Sequence, residues 1–161
     1  MERTFSHFDA NGNAIMVDVS GKENTSRTAI ARGEIQVGKE IMAAVKGGTV
    51  KKGDVLGVAR VAGIMAVKNT SSMIPMCHPL MIQKCSVDFE LDEVNSQIAA
   101  ICQVKVEGKT GVEMEALTGA TAALLTIYDM CKAIDKSMVL KEIYLVEKTG
   151  GKSGHYKAEI K

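Results

Sequence analysis

Two reactive side chains, Cys77 and His78, stand side by side in the stretch SMIPMCHPL, where Pro75 and Pro79 bracket them. A zinc site needs about four clustered ligands, which two adjacent residues do not supply. A nucleophile and its base also fit poorly, because neighbouring side chains on an extended chain point to opposite faces. The prolines fix the local φ and extend the residues before them, so the stretch is interpreted as a stiff loop that presents His78 to a ligand. A hydrogen-bonded structural histidine stays open as the alternative.

A glycine-containing turn opens a helical pattern in GKTGVEMEALTG, residues 108–119. The stretch lacks the residue order of a Walker A phosphate loop, but such a turn still offers free N–H groups to an anion. Glu113 and Glu115 either complement the helix dipole or accept hydrogen bonds from the N–H edge of a purine. Both interpretations stay open at this point.

Basic residues recur near the predicted loops and near these motifs. Most lysines are simply solvated, yet several brought together would bind a polyphosphate. Mutual repulsion and burial would then lower the pKa of one lysine toward a value suited to acid–base chemistry. The candidates are Arg27, Arg32, Lys51, Lys52, Lys68, Lys109, Lys132 and Lys152.

The composition narrows the classes of partner. A chain of 161 residues suits one domain, and a net charge of +1 with 4% aromatic residues argues against a nucleic-acid partner. No apolar run approaches the roughly 20 residues that span a bilayer, and the N-terminal stretch lacks the apolar segment of a signal peptide. We therefore expect a cytoplasmic protein with no membrane partner, whose four cysteines are free thiols.

Hydrophobic periodicity predicts the elements that must position these residues. Period-two alternation predicts strands at 27–37, 84–93, 96–108 and 137–151, the middle two forming a hairpin, and helical spacing predicts helices at 38–48, 51–74 and 111–134. Asp54 is the expected N-cap of the second helix. On the third helix, Asp129 points away from the apolar stripe, and Lys132 lies within one turn of it. The order predicts an α+β domain over 1–161, with helices on one face of a mainly antiparallel sheet and with flexible ends at about 1–13 and 150–161.

Seven strings resemble the MoaC family of molybdenum cofactor biosynthesis, the cyclic pyranopterin monophosphate synthases. They are MVDVS, KGDV, AGI, IPMCHPLM, TGVEMEALT, YDMCKA and GGKSG, and they occur in the family's order from about residue 14 to residue 155. One departure is Met76, where the family pattern has Leu. The resemblance implies a ferredoxin-like subunit in a homohexamer, a trimer of dimers with active sites where subunits meet. It also implies a substrate, a cyclised dihydro-GTP, that becomes cyclic pyranopterin monophosphate and pyrophosphate.

The resemblance also implies roles for individual residues. Lys52 and Lys132 match the family's catalytic lysines, and Asp129 matches the carboxylate that orients Lys132. The matching substrate-pocket residues are Cys77, His78, Glu113, Met114 and Glu115, and those expected at the triphosphate are Arg27, Lys68 and Lys152. No protein-held metal or tightly bound cofactor is implied, although magnesium can accompany the phosphates. The alternatives are a noncatalytic purine-nucleotide-binding oligomer and a structural oligomer, neither of which would turn over substrate.

Overall fold

A five-stranded sheet forms one layer of the molecule, and its helices form the other. The computed structural model describes residues 7–159. Its elements are β1 (Thr25–Gln36), α1 (Lys39–Gly47), α2 (Val55–Lys68), α3 (Thr70–Met73), β2 (Lys84–Asp92), β3 (Gln97–Gly108), α4 (Glu113–Cys131), β4 (Val139–Thr149) and β5 (Tyr156–Lys157). No helix in the described part of the chain is both long and apolar enough to cross a bilayer.

The strand order across the sheet is β2-β3-β1-β4-β5, and every neighbouring pair is antiparallel. Helices α2 and α4 follow β1 and β3, which gives the β-α-β-β-α-β order of the ferredoxin-like arrangement. The predicted α+β class, with helices on one face of a mainly antiparallel sheet, is confirmed.

One face of the sheet carries the apolar half of each alternating strand. Ala29, Ala31 and Ile35 of β1 are fully buried, and Ile35 lies opposite the buried Ile98 of β3. Helix α4 lies across β1, β3 and β4, and α2 packs against α4 and β2. The period-two pattern therefore identified the buried face correctly, because a strand turns successive side chains to opposite sides.

Helices α2 and α4 meet at two glycines. A Cβ atom on Gly63 would lie 2.9 Å from the carbonyl oxygen of Gly119, and one on Gly119 would lie 2.5 Å from the Cys102 sulfur of β3. Only residues without a side chain allow so close an approach of two helix backbones over a strand. The crossing fixes how α4 lies on the sheet.

The second predicted helix ends earlier than its pattern suggests. Asp54 caps it as expected, by accepting a hydrogen bond from the Gly57 N–H at 2.9 Å. The helix stops at Lys68 rather than at residue 74, and α3 is a separate single turn. The Asn69 side-chain amide donates to the Met65 carbonyl oxygen, and the Thr70 hydroxyl donates to two carbonyl oxygens of the last turn of α2. These side-chain donors take the place of the backbone N–H groups of a continuing helix.

The short strand β5 was not identified from the sequence. Tyr156 and Lys157 pair with Lys148 and Glu147 of β4. Two residues carry no periodicity of their own, so only the neighbouring strand reveals them.

Candidate functional site

Two lysines share one carboxylate at the C-terminal end of α4. Lys132 Nζ lies 2.7 Å from Asp129 Oδ1, and Lys52 Nζ lies 3.2 Å from Asp129 Oδ2. Lys52 also donates to the Asp129 carbonyl oxygen at 2.9 Å. That oxygen belongs to the last turn of α4, where carbonyls lack helical partners and attract cations. We call Lys52, Asp129 and Lys132 the lysine–aspartate cluster.

The contact between Asp129 and Lys132 keeps both of these side chains charged. The hydrogen bond from Lys132, followed by that from Lys52, lowers the pKa of Asp129 below its ordinary value. In return, the hydrogen bond to Asp129 raises the pKa of Lys132. All three side chains are about half exposed, so they are open to a ligand or to another protein surface.

A cavity of about 270 Å³ lies at the other end of α4. Seven of the candidate residues line it: Arg27, Cys77, His78, Lys109, Glu113, Met114 and Glu115. They come from the start of β1, the loop between the prolines, the turn before α4 and the first turn of α4. Residues far apart in the sequence therefore meet at one place, which we call the α4 pocket.

The N-terminal segment holds His78 in one orientation. His78 Nε2 lies 2.9 Å from the carbonyl oxygen of Val17. Because a carbonyl oxygen only accepts, Nε2 carries the proton, and Nδ1 is left for another partner. The same segment is tied down by Lys109, whose Nζ donates to the Ser20 carbonyl at 2.6 Å.

Glu115 is a buried carboxylate at the wall of the α4 pocket. Its exposed fraction is 4%, and no other side chain of residues 7–159 donates a hydrogen bond to it. Burial raises the pKa of Glu115, and the charge of Glu113 acts in the same direction. Burial also raises the pKa of the neighbouring Cys77 thiol, with a further contribution from Glu115. A buried carboxylate that accepts from its own backbone N–H has a second oxygen suited to an N–H donor from a ligand.

The sequence GGKSG forms a turn beside Arg27, and we call Gly150–Gly154 the glycine turn. Arg27 Nε donates to the Gly108 carbonyl at 2.9 Å, while its guanidinium lies against Gly151. Gly150 and Gly151 have φ of 91° and 73°, a region that side chains disfavour. Within residues 7–159, the N–H groups of Gly151, Lys152 and Ser153 have no backbone acceptor. Free amides beside a guanidinium are suited to an anion.

Lys148 adds a second cation at this turn, and sequence reasoning missed it. It is 9% exposed, and its ammonium contacts the Ser153 hydroxyl, with no acidic partner among the described residues. A buried cation without a counter-charge is unfavourable unless an anion joins it. The sequence could not assign its face, because two register shifts between β1 and β4 break the period-two pattern.

The remaining predicted residues lie outside the α4 pocket. Lys152 is an exposed member of the glycine turn. Lys68 lines a separate groove that shares only Leu80 with the pocket. The pocket also contains residues for which no role was predicted, among them Val17, Val19 and Lys22. Val17 and Val19 belong to the string MVDVS, which is part of the family resemblance, whereas Lys22 lies outside it.

The α4 pocket and the lysine–aspartate cluster do not meet in one chain. Glu113 opens α4 and Asp129 lies 16 residues further along it. At about 1.5 Å per residue the two ends are roughly 24 Å apart. The pocket is also slightly smaller than the 300 Å³ or so at which small-molecule sites begin.

No group of three or more His, Cys, Asp or Glu side chains in residues 7–159 is arranged to hold a metal ion. The pocket offers only two carboxylates, Glu113 and Glu115, and the glycine turn offers cations and amides. These donors suit a phosphate more than a protein-held magnesium ion.

Comparisons with known proteins point to one family. The family model described as "MoaC family" matches residues 16–151. The chain is 60% identical over 156 residues to the cyclic pyranopterin monophosphate synthase of Clostridium botulinum (strain Alaska E43 / Type E3), covering 97% of this chain and 98% of the relative. It is 58% identical to the enzyme of that name from Clostridium perfringens (strain 13 / Type A), with 97% and 99% covered. The enzyme of that name from Heliobacterium modesticaldum is 57% identical, with 94% and 95% covered.

Proposed function

Because the chain belongs to the MoaC family, we propose that it is a cyclic pyranopterin monophosphate synthase of molybdenum cofactor biosynthesis. It acts as a lyase that converts a cyclised dihydro-GTP into cyclic pyranopterin monophosphate and releases pyrophosphate. Relatives that carry this enzyme name match nearly the whole chain. The cytoplasmic location stays a prediction.

The observation that carries the proposal is the lysine–aspartate cluster. Lys52 and Asp129 are 77 positions apart, yet one carboxylate joins Lys52 to Lys132. A reaction that opens and closes rings needs proton transfers, and one that expels pyrophosphate needs positive charge near the phosphates. Two lysines on one carboxylate supply both kinds of group.

Within the cluster we assign different roles to the two lysines. Lys132 stays protonated, because its bond to Asp129 raises its pKa, and it stabilises developing negative charge. Lys52 binds the carboxylate at the longer distance and exchanges the proton. When a second surface covers the cluster, desolvation lowers the pKa of a lysine toward the value that a general base needs.

The α4 pocket recognises the purine-derived ring. The carboxylates of Glu113 and Glu115 accept hydrogen bonds from ring N–H donors, and His78 contributes its free Nδ1. Met114 and Cys77 line the pocket, and Cys77 keeps its proton because burial raises its pKa. The α4 pocket is therefore the part of the site that binds the ring.

The phosphates lie toward the glycine turn and the cations beside it. Arg27 and Lys148 flank the glycine turn, and Lys152 belongs to it. Lys68 lines the groove that adjoins the α4 pocket. Free amides together with guanidinium and ammonium groups bind phosphate oxygens. Magnesium enters with the substrate's own phosphates, since few protein oxygens are available there.

A second copy of the chain completes each site. One copy supplies the α4 pocket and its neighbour supplies the lysine–aspartate cluster, which removes the separation of roughly 24 Å along α4. Helix α2 also exposes Val58, Val61 and Met65 at helical spacing, with exposed fractions of 47%, 61% and 50%. Such an apolar stripe favours association of subunits. The full assembly is a homohexamer, a trimer of dimers.

The direct test of the activity is turnover by the purified full chain. Incubation with the cyclised dihydro-GTP should yield pyrophosphate and the pterin product. Lys132→Ala should lower the rate at least about a hundredfold, the usual contribution of a group that stabilises developing negative charge. The matched control is Lys136→Ala, an exposed lysine near the same helix end, which should keep full activity. Binding of the nucleotide without product from the wild type would instead establish the noncatalytic purine-nucleotide-binding oligomer.

A further inference from the structure

Two cysteines lie together on neighbouring strands, away from the α4 pocket. Cys85 is the second residue of β2, and its partner in the register is Val104 of β3. Cys102 lies two residues along β3, opposite Val87, so the two cysteines are diagonal neighbours on the helix-covered face. The two thiols lie close enough for each to affect the pKa of the other. All four cysteines of the chain are free.

The two thiols have unequal surroundings. Cys102 is fully buried beneath the crossing of α2 and α4, where its sulfur faces Gly119. Cys85 is half-buried, and it lines a groove together with Lys68. A reagent in solvent therefore reaches Cys85 and not Cys102.

The two thiols also differ in acidity. The hydrogen bond from Cys102 lowers the pKa of Cys85, and the charge of Lys68 acts in the same direction against burial. The same hydrogen bond, together with burial, raises the pKa of Cys102. Cys85 is thus the thiol that ionises, and the thiolate is the reactive form of cysteine.

We propose that Cys85 is a peroxide-reactive modification site and that Cys102 is its resolving thiol. The groove beside Lys68 admits small hydroperoxides to the Cys85 sulfur, and the diagonal neighbour lies within reach of it. This site does not depend on the proposed synthase activity.

The chemistry balances in two steps. The Cys85 thiolate attacks one oxygen of hydrogen peroxide, so an S–O bond forms, the O–O bond breaks and the leaving hydroxide becomes water. Sulfur loses two electrons and peroxide gains them. The Cys102 sulfur then attacks the Cys85 sulfur, giving up its proton as the S–O bond breaks, and a second water leaves. The product is an intrachain disulfide that a dithiol reductant returns to two thiols.

The position of β2 allows the closing step. A disulfide brings the sulfurs to about 2 Å, closer than a thiol hydrogen bond, so one strand must shift. Within the part of the chain that the structure describes, β2 is the edge of the sheet and pairs only with β3, and Cys85 lies near its beginning. An edge strand moves near its end with fewer lost contacts than a central strand.

The test is a map of oxidised cysteines in the reduced, full-length protein. Hydrogen peroxide is added, free thiols are blocked with an alkylating reagent after denaturation, and the protein is digested with trypsin. Cys85 and Cys102 lie between Lys84 and Lys105 and share one peptide, 85–105. We expect that peptide to lose two hydrogens and to escape alkylation, while Cys77 and Cys131 remain alkylated. Preferential oxidation of Cys77, or an unmodified 85–105 peptide, would overturn the proposal.

Two further measurements separate the roles of the two thiols. In Cys102→Ala, peroxide should leave a sulfenic acid on Cys85 that a dimedone probe captures, whereas Cys85→Ser should give neither disulfide nor probe adduct. In the native wild type, iodoacetamide should alkylate Cys85 at least about fivefold faster than Cys77, as thiolate character requires. Equal rates for these two half-buried thiols would contradict the assignment of Cys85 as the reactive one. Because this rate is measured in the unchanged protein, it stands even if a variant fails to fold.

Discussion

Two single residues in this molecule, Glu115 and Lys148, are buried in an unfavourable charge state. Among residues 7–159, Glu115 is a buried carboxylate with a raised pKa and no donor from another side chain, and the Lys148 ammonium has only a hydroxyl partner. Each lies where the substrate is proposed to bring the opposite group, an N–H edge or a phosphate. Buried charges that lower the stability of the folded protein in this way are commonly kept at functional sites.

The stability of the protein should therefore depend on pH through Glu115. Its pKa in the folded state is raised above the ordinary value of 4.5, so the folded state holds the proton more tightly than the unfolded chain. The free energy of unfolding should fall as pH rises from 4.5 through the folded pKa, and level off above it. Glu115→Gln removes this loss, so its Tm advantage over the wild type should grow over that pH range. Each kcal/mol corresponds to about 2–4 °C for a domain of this size.

A matched control separates this effect from a general effect of removing charge. Glu40 is an exposed acid in the first turn of α1, and Glu40→Gln should show no such growth with pH. Glu115→Gln should also lose turnover, because the carboxylate acceptor is gone. A Tm difference that stays constant between pH 4.5 and 8 would argue against a buried charge at Glu115.

The close crossing of helices α2 and α4 determines where the site residues of α4 lie. Gly63 of α2 and Gly119 of α4 bring the two helices together over Cys102 of β3. Both ends of α4 bear site residues, so the way in which this helix lies on the sheet positions the α4 pocket and the lysine–aspartate cluster together. The crossing is thus a structural requirement of the site, although it touches no ligand.

Gly119→Ala tests the helix crossing, because helix propensity and packing predict opposite changes in the free energy of unfolding. Alanine has the better helix propensity, by up to about 1 kcal/mol, so a freely placed substitution would stabilise α4. Here the new methyl group would lie 2.5 Å from Cys102 Sγ and 2.7 Å from Val67 Cγ2. We expect a loss of about 1–3 kcal/mol from overpacking, a fall in Tm of roughly 2–12 °C.

The control for this substitution is Gly21→Ala. A Cβ atom there has no neighbour within 4 Å, so its Tm should change little. Thermal unfolding of the two variants beside the wild type makes the comparison. A Gly119→Ala protein at least as stable as the wild type would show that the helices can move apart freely.

The sequence predicted elements whose periodicity is local and missed features set by distant residues. The strands around Ala29 and Val87 and the cap at Asp54 follow from neighbouring residue types, and all are confirmed. The strand order, the pairing of β5 and the burial of Lys148 depend on register between strands, which periodicity does not encode.

The site was predictable in its residue types but not in its geometry. The family strings named both the α4 pocket and the lysine–aspartate cluster, and the predicted helix at 111–134 already placed Glu113 and Asp129 near its two ends. The contact between Lys52 and Asp129 joins residues 77 positions apart, so it required the folded chain. The hydrogen bond between His78 and Val17 spans 61 positions, so it too required the folded chain.

At the scale of the whole molecule, the account depends on two copies building each site. A single chain holds the α4 pocket at one end of α4 and the lysine–aspartate cluster at the other. Association is therefore proposed to be part of catalysis and not only of stability. A variant with a defective α4 pocket should therefore regain activity when it associates with a variant whose lysine–aspartate cluster is defective.

The measurement that tests this most directly is complementation between two inactive variants. Lys132→Ala keeps the pocket, and His78→Ala keeps the lysine–aspartate cluster. The two are co-expressed with different tags, and oligomers carrying both tags are purified and assayed for pyrophosphate release. If the two variants mix at random, roughly a quarter of the sites combine an intact α4 pocket from one copy with an intact lysine–aspartate cluster from its neighbour. The account predicts about that fraction of wild-type activity from the mixture and almost none from either folded variant alone, whereas a mixed oligomer as inactive as its parents would contradict it.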